Sequence, residues 1–204
     1  DTKAHWARKD IDSLVETGVV NGYKDGQFKP DNTITAGEFT KLLITLKADV
    51  IKPSSGHWSK PYVLAAEEIG YMPKGMLTDF DAPIKREQMA LMIANATTVK
   101  TEYPYAYMNV FKDLTKVSES YKKSILVAYG TGIIGGYEDQ TFRPQASATR
   151  AEAVSMLVRM TTESRRQART LSFTKSTLAY YNGKDGNASL IALEGIVYDV
   201  SSLP

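Results

Sequence analysis

Arg86 and Arg150 each stand where a helix is expected to begin, in the segments IKREQM (84–89) and ATRAEA (148–153). In the second segment Thr149-x-x-Glu152 fits a capping box: the threonine oxygen accepts from the third helical amide, and the glutamate returns to the cap amide. Thr35-x-x-Glu38 fits the same box, with Ala36 where the arginine would stand. A cation in the first turn opposes the helix dipole and gains nothing from it. It is expected where an anion lies beside the open amides of the helix start and a guanidinium grips it in bidentate fashion. Arg86 and Arg150 are thus candidate anion-binding residues at exposed positions, with Lys85 a third cation beside them. Thr35, Glu38, Thr149 and Glu152 are read as helix caps.

Other chemistry is scarce. The chain has no cysteine, which excludes disulfides, thiolate metal sites and a cysteine nucleophile, and its two histidines, His5 and His57, each precede a tryptophan at a helix start. Neither has carboxylates at ligand spacing, so no metal site is expected. GYKDGQFKPDNTITAGEF (22–39) superficially suggests a calcium loop, but placing Glu38 twelfth puts Gln27 first and Lys29 third. Glycoside hydrolysis needs two free carboxylates facing one sugar. Glu38, Glu152, Asp25 and Asp139 are already employed in caps and turns, so no catalytic residue is expected. With 25 basic and 23 acidic residues spread along the chain, no field for nucleic acid is expected. No apolar run approaches the ~20 residues of a membrane span.

The elements that position these residues recur. GVVNGYKDGQFKPDNTITAGE (18–38) and GIIGGYEDQTFRPQASATRAE (132–152) align without a gap at an offset of 114. Gly18/Gly132, Gly22/Gly136, Tyr23/Tyr137, Asp25/Asp139, Phe28/Phe142, Pro30/Pro144, Thr35/Thr149 and Glu38/Glu152 are identical. A weaker copy lies between: His5-Trp6 recurs as His57-Trp58, Gly18 as Gly70, and ITAGEF (34–39) as IKREQM. Three units, 1–50, 51–104 and 105–163, account for most of the chain.

Each unit reads as helix, loop, helix. The first helices show apolar spacing in Ile11, Leu14 and Val15, in Val63 and Ala66, and in Ile125, Ala128 and Tyr129. Gly18, Gly70 and Gly132 suit left-handed helix ends. The second helices present Phe39, Leu42, Leu43 and Leu46, then Met89, Met92, Ile93 and Ala96, then Val154, Leu157 and Val158. One helix pair cannot cover such a stripe, so the pairs are expected to pack on one another in a mainly α bundle with pseudo-threefold symmetry.

The order His-Trp, helix, G-(I/V)-(I/V)-x-G-Y-x-D-x-x-F-x-P, then T-R-A-E, in three copies, resembles the S-layer homology domain of bacterial cell-surface proteins. The resemblance covers about 160 residues. It implies a three-pronged helical bundle that anchors an extracellular protein to secondary cell-wall polysaccharide, commonly through a pyruvylated amino sugar held in grooves between units. On the matching positions it implies glycan contacts from Arg86, Arg150, Lys85, Trp6, Trp58, Tyr23, Tyr137, Gly22 and Gly136. The copies are uneven. Unit 3 has the full TRAE and Gly136-Tyr137 but Ser120-Tyr121 near the His-Trp position; unit 2 keeps Arg86 without the capping pair; unit 1 keeps the pair without the arginine. A carboxylate on a sugar calls for a guanidinium and an aromatic face. The same aromatics also suit core packing, and both uses stay open here. The alternative function is a self-assembling subunit of a surface lattice or filament; a third is a carrier whose chemistry lies elsewhere in a larger protein.

Residues 164–170 read as a charged linker. Residues 171–204 alternate around glycines, with Leu190–Leu193, a Glu194-Gly195 turn and Ile196–Val200 forming an expected strand pair. This segment is similar to the opening of a cytochrome b5-like haem- or steroid-binding domain, on Phe173, Thr174, Leu178, Tyr181, Asn182-Gly183-Lys184-Asp185-Gly186 and Val197-Tyr198-Asp199-Val200-Ser201. No histidine follows His57, so haem is not expected as a cofactor. An unfinished sheet has open edges, and pairing of these strands with another chain is one expectation; the start of a longer domain is the other.

Overall fold

The computed structural model describes residues 1–47 and 51–203; the boundary expected at residue 50, and Pro204, lie outside them. Three helix pairs follow in order: α1 (Arg8–Glu16) and α2 (Ala36–Lys47), α3 (Lys60–Ile69) and α4 (Arg86–Ala96), α5 (Glu119–Gly130) and α6 (Arg150–Thr161). Two short 3-10 turns, Pro104–Tyr107 and Leu114–Lys116, fill the connection before α5. The second helix of each pair forms the centre, with Phe39, Leu43, Met89, Met92, Ile93, Val154 and Leu157 almost wholly buried.

Packing runs between pairs. α1 lies on α6, α3 on α2 and α5 on α4, so each first helix covers the second helix of a neighbouring pair. Ile11 and Leu14 make the α1 contact, whereas Val15, expected in the core, is exposed on the outer side of this short helix. Gly18, Gly70 and Gly132 take φ values of +73°, +88° and +74° as expected of left-handed helix ends.

Three extended residues at the centre tie the pairs together. The Ile34 amide donates to Ala148 O (3.0 Å), the Ile84 amide to Ile34 O (3.1 Å) and the Ala148 amide to Ile84 O (3.4 Å), a closed ring of backbone hydrogen bonds. Immediately beyond it the helices α2, α4 and α6 begin.

Residues 164–170 are a strap rather than a free linker. The Gln167 amide donates to Gly132 O (2.9 Å), and Arg169 reaches Tyr129 O (3.0 Å) and Ile134 O (2.9 Å). Arg166 reaches Arg159 O (3.1 Å), and Arg165 pairs with the buried Asp10. Three arginine side chains and the Gln167 backbone amide thus fasten the segment across α1, α5 and α6, supplying partners that composition alone could not reveal.

Beyond the strap come a single helical turn, α7 (Lys175–Leu178), and an antiparallel hairpin, β1 (Leu190–Leu193) and β2 (Ile196–Asp199). Glu194 and Gly195 both have positive φ, +52° and +82°, which matches the two-residue turn read from the sequence. The segment docks on its own chain. Tyr181 is buried and its hydroxyl accepts from the Ala106 amide (3.2 Å), while Tyr180 stacks on Tyr105 with centroids 4.8 Å apart. The Tyr103 hydroxyl donates to Asp199 (2.8 Å), and that hydrogen bond holds the phenol proton so that its pKa rises to about 12. The contact is therefore fully present at neutral pH and is lost only as pH rises through that value.

The strap gives a testable pair of glycines. A Cβ on Gly132 would lie 2.2 Å from Gln167 O, whereas one on Gly70 would meet nothing within 4 Å. Gly70→Ala is expected to cost only the left-handed strain of about 1–2 kcal/mol. Gly132→Ala should lower the melting temperature further and speed tryptic cleavage at Arg165, Arg166 and Arg169; equal cleavage in the two variants would show that the strap is not held there.

Candidate functional site

Helix starts that were expected to be open are occupied. The Arg150 and Ala151 amides donate to Asn32 O (2.8 Å) and Pro30 O (2.9 Å), and the Arg86 and Glu87 amides to Ala146 O and Pro144 O (both 3.0 Å). Ala36 and Gly37 donate likewise to Ala82 O (2.9 Å) and Phe80 O (2.8 Å). The third helical amides go to the cap threonines, Glu38 to Thr35 Oγ1 and Glu152 to Thr149 Oγ1 (each 3.1 Å). Both boxes close, with Glu38 Oε2 on the Thr35 amide (2.9 Å) and Glu152 Oε2 on the Thr149 amide (2.8 Å). These amides are spoken for, so an anion cannot rest on the helix N-terminus in the way the sequence suggested.

The arginines are correspondingly buried, Arg86 being 3% and Arg150 8% exposed, which corrects the expectation of exposed side chains. Side chains at a helix start lean back toward the N-terminus, and here that direction leads into the loop of the next pair. Arg150 Nε donates to Phe28 O (3.0 Å), Nη1 to Glu38 Oε1 (3.4 Å) and Nη2 to Asn21 O (3.4 Å). Arg86 repeats the set on Phe142 O (2.9 Å), Glu152 Oε1 (3.2 Å) and Gly135 O (3.1 Å). Each guanidinium lies between two rings, 4.6 Å from Tyr23 and 4.7 Å from Phe28 for Arg150, 4.8 Å from Tyr137 and 4.9 Å from Phe142 for Arg86. The structural motive for an arginine at this position is a charge-paired, ring-flanked clamp between neighbouring pairs.

A cleft opens over each clamp, and all three helix pairs contribute to it. The first, about 230 Å³, brings Tyr23, Glu38 and Lys41 together with Arg150 and with Trp58. The second, about 180 Å³, brings Tyr137, Glu152, Ser155 and Arg159 together with Arg86 and Trp6. Trp6 is 63% and Trp58 50% exposed, so both sit on the cleft surface and neither is core. His5 and His57 hold the turns before them, each accepting at Nδ1 from the amide two residues on (3.2 Å) and meeting Asp31 (3.2 Å) or Asp81 (3.1 Å) at Nε2.

A third cleft, about 130 Å³, occupies the remaining junction and lacks the clamp. Ala36 stands in place of the arginine and Gln88 in place of the glutamate. Lys85 belongs to this cleft and not to the other two, its ammonium bonded to Gln145 (2.7 Å). Gly22 and Gly136 line the first two clefts, yet packing requires both: an added Cβ would lie 3.0 Å from Gln27 O at Gly22 and 2.1 Å from the Phe111 ring at Gly136.

Several residues escaped the sequence reading. Asp1 grips the Phe28 and Lys29 amides (3.0 and 2.6 Å), and Asp113 grips those of Phe142 and Arg143 (2.9 and 2.7 Å). These carboxylates hold Lys29 and Arg143 in left-handed backbone, φ +56° and +57°. Their near-repeat spacing was the available signal. Lys41, Ser155 and Arg159 lie three or seven residues after a cap glutamate, on the same helix face, a spacing that could have placed them in the clefts. Among the described residues no group of three metal-ligating side chains comes together.

The family model of the S-layer homology domain matches residues 1–40 and 110–154. These two segments are similar to S-layer homology domains. They hold the loop, glutamate and tyrosine of both complete clefts. The chain is 31% identical over 204 residues to a cellulosome-anchoring protein of Acetivibrio thermocellus, covering 88% of this chain and 42% of that protein. It is 31% identical over 166 residues to the S-layer protein sap of Bacillus anthracis (76% of this chain, 20% of that protein) and 28% over 168 residues to the exoglucanase XynX of A. thermocellus (77% and 16%). In each case the chain spans less than half of the relative.

Removing one member of a clamp should cost more than removing both. Arg150→Ala leaves Glu38 and two carbonyls without their partner and is expected to destabilise by about 3 kcal/mol. Adding Glu38→Gln recreates the alanine–glutamine combination of the third junction and should restore part of the loss. Urea unfolding of the two single variants and the double variant checks this, with a coupling of at least about 1 kcal/mol expected; simple additivity would show that the pair is not coupled.

Proposed function

We propose that the chain is a non-catalytic anchoring module that holds a surface protein on the bacterial cell wall by binding wall polysaccharide in the two complete clefts. The S-layer homology sequence and its relatives place the chain at the cell surface, associated with the wall. One observation carries the binding reading: two equivalent clefts, each with an exposed tryptophan facing an arginine–glutamate pair, recur at separate junctions. An exposed indole beside hydrogen-bonding groups suits the apolar face and hydroxyls of a sugar ring. The relatives point the same way. Proteins named as an amylopullulanase, an exoglucanase, an S-layer protein and an anchoring protein share this segment, which covers only 9% to 42% of each. What they share is a reason to look for attachment rather than for a reaction.

On this reading residues 51–104 are a third, diverged unit that completes the bundle and contributes Arg86 and Trp58 to its neighbours' clefts. The ligand is an acidic secondary wall polymer, for which a pyruvylated amino sugar has suitable chemistry. On the same reading residues 171–204 resemble the opening of a cytochrome b5-like domain carried beside the anchor. Self-assembly is the second reading, favoured by the exposed Ile191, Leu193, Ile196 and Tyr198 of the hairpin.

The two tryptophans of the chain are one per cleft, which makes them reporters. The wild-type chain is expected to sediment with isolated cell walls and not with walls stripped of their acid-labile polysaccharide. Trp6→Ala and Trp58→Ala should each weaken binding by about tenfold, roughly 1.4 kcal/mol, with little change in melting. Equal binding to stripped walls would overturn the polysaccharide reading.

A further inference from the structure

The clamp arginines are used up by the fold, which raises the question of what in each cleft meets an acidic ligand. Arg150 is balanced by Glu38 and Arg86 by Glu152, so each cleft floor is a neutral ion pair. One further charged residue lines each cleft. In the first it is Lys41, in the second Arg159. Neither side chain has a hydrogen-bond or ion-pair partner among the described residues; the nearby Asp10 is taken by Arg165. Arg159 is also half-withdrawn from water, which lowers its pKa and leaves its charge short of solvation.

The two cations are not at equivalent positions. Lys41 follows its cap glutamate by three residues, and Arg159 follows its own by seven. The position of Lys41 is held in the second cleft by Ser155, small and buried, with a hydroxyl that has no hydrogen-bond partner. The position of Arg159 is held in α2 by Thr45. The cation is thus displaced by about one helical turn, roughly 6 Å along the axis, and the serine removes the side chain that would stand in the way. At the third junction the corresponding positions are Leu91 and Asn95, and the one cation lining that cleft, Lys85, is hydrogen-bonded to Gln145.

We infer that Lys41 and Arg159 are the residues that read the negative charge of the wall polymer, at different depths in the two clefts, and that Arg86 and Arg150 are positioning residues that shape the clefts. The inference rests on the polysaccharide reading above. It implies two binding registers: a carboxylate close to the Tyr23–Trp58 face in the first cleft, and one a turn deeper, past Ser155, in the second. The third cleft, whose Lys85 is already bonded to Gln145 and lies beside Asp79 in the lining, takes no acidic group.

Tryptophan fluorescence tests the assignment cleft by cleft. In a Trp6→Phe background Trp58 reports the first cleft, and in a Trp58→Phe background Trp6 reports the second. Each is titrated with acidic polysaccharide solubilised from isolated walls. Lys41→Gln is expected to weaken the Trp58-reported affinity by more than about tenfold, the loss of one charged hydrogen-bonding partner, and to leave the Trp6 signal unchanged. Arg159→Gln should do the reverse, and Arg159→Lys should retain most of the affinity, which separates loss of charge from loss of packing. Both effects should shrink as salt is raised. If the parent proteins bind and the glutamine variants bind equally well, the charge-reading assignment is wrong while the anchor reading stands. If the parent proteins do not bind the polysaccharide, both are wrong.

Discussion

Three backbone hydrogen bonds govern the arrangement of everything else. The ring through Ile34, Ile84 and Ala148 brings together residues far apart in the chain and leaves each of them two positions before a helix start. That geometry forces the first amides of every second helix against the carbonyls of the adjacent loop. Six helix-start amides, which water would otherwise satisfy, are consumed in this way. The junctions are therefore polar at the backbone and apolar in the side chains around them, and sliding one pair relative to the next would unpair buried groups. Such a ring cannot be made by one pair alone, which is why the first helix of each pair also rests on a neighbour rather than on its own partner.

The clamp follows from the same constraint. Once a loop carbonyl such as Phe28 O or Phe142 O is brought beside the next helix start, a residue there finds acceptors, a cap glutamate and two aromatic faces within reach. An arginine fills that space with three directed bonds. The glutamate then has two tasks on its two oxygens, one toward the cap amide and one toward the guanidinium. Cleft lining and stability thus share atoms at Glu38 and Glu152, so a loss of function on changing them would not by itself identify a ligand contact. Lys41 and Arg159 are free of this ambiguity, because the fold makes no use of their charge among the described residues.

How far the sequence could be read depended on the range over which each interaction acts. Thr35, Glu38, Thr149 and Glu152 were legible because a capping box is closed within three residues, and Gly18, Gly70 and Gly132 because a left-handed helix end is local. The hairpin turn at Glu194-Gly195 was legible for the same reason. Arg86 and Arg150 were misread in their surroundings, since their partners lie 49 to 129 residues away and the repeat pattern does not say which unit adjoins which. The strap reads as a linker on its charge, because the partners of Arg165 and Arg169 lie far off in sequence, in α1 and at the end of α5, and only Arg166 finds its acceptor nearby, at the end of α6. Trp6 and Trp58 could have been core or surface; only the packing of α1 on α6 and of α3 on α2 decides between them.

The third junction shows what the clamp is for. Arginine, glutamate and the loop tyrosine are all missing there: Ala36 replaces the first, Gln88 the second, and the loop carries Met76 and Leu77. Loss of the arginine alone would strand a partly buried carboxylate, and loss of the glutamate alone would strand a guanidinium, so the two are expected to go together. Gln88 keeps the one task that remains, accepting from the Lys85 amide (3.0 Å), and Ala36 and Gly37 keep the backbone bonds to the neighbouring loop. The ring of hydrogen bonds is intact without the clamp. Ala36 therefore marks the division of labour in this fold: the backbone ring closes the bundle at all three junctions, while the side-chain clamp forms the floor of the cleft at only two.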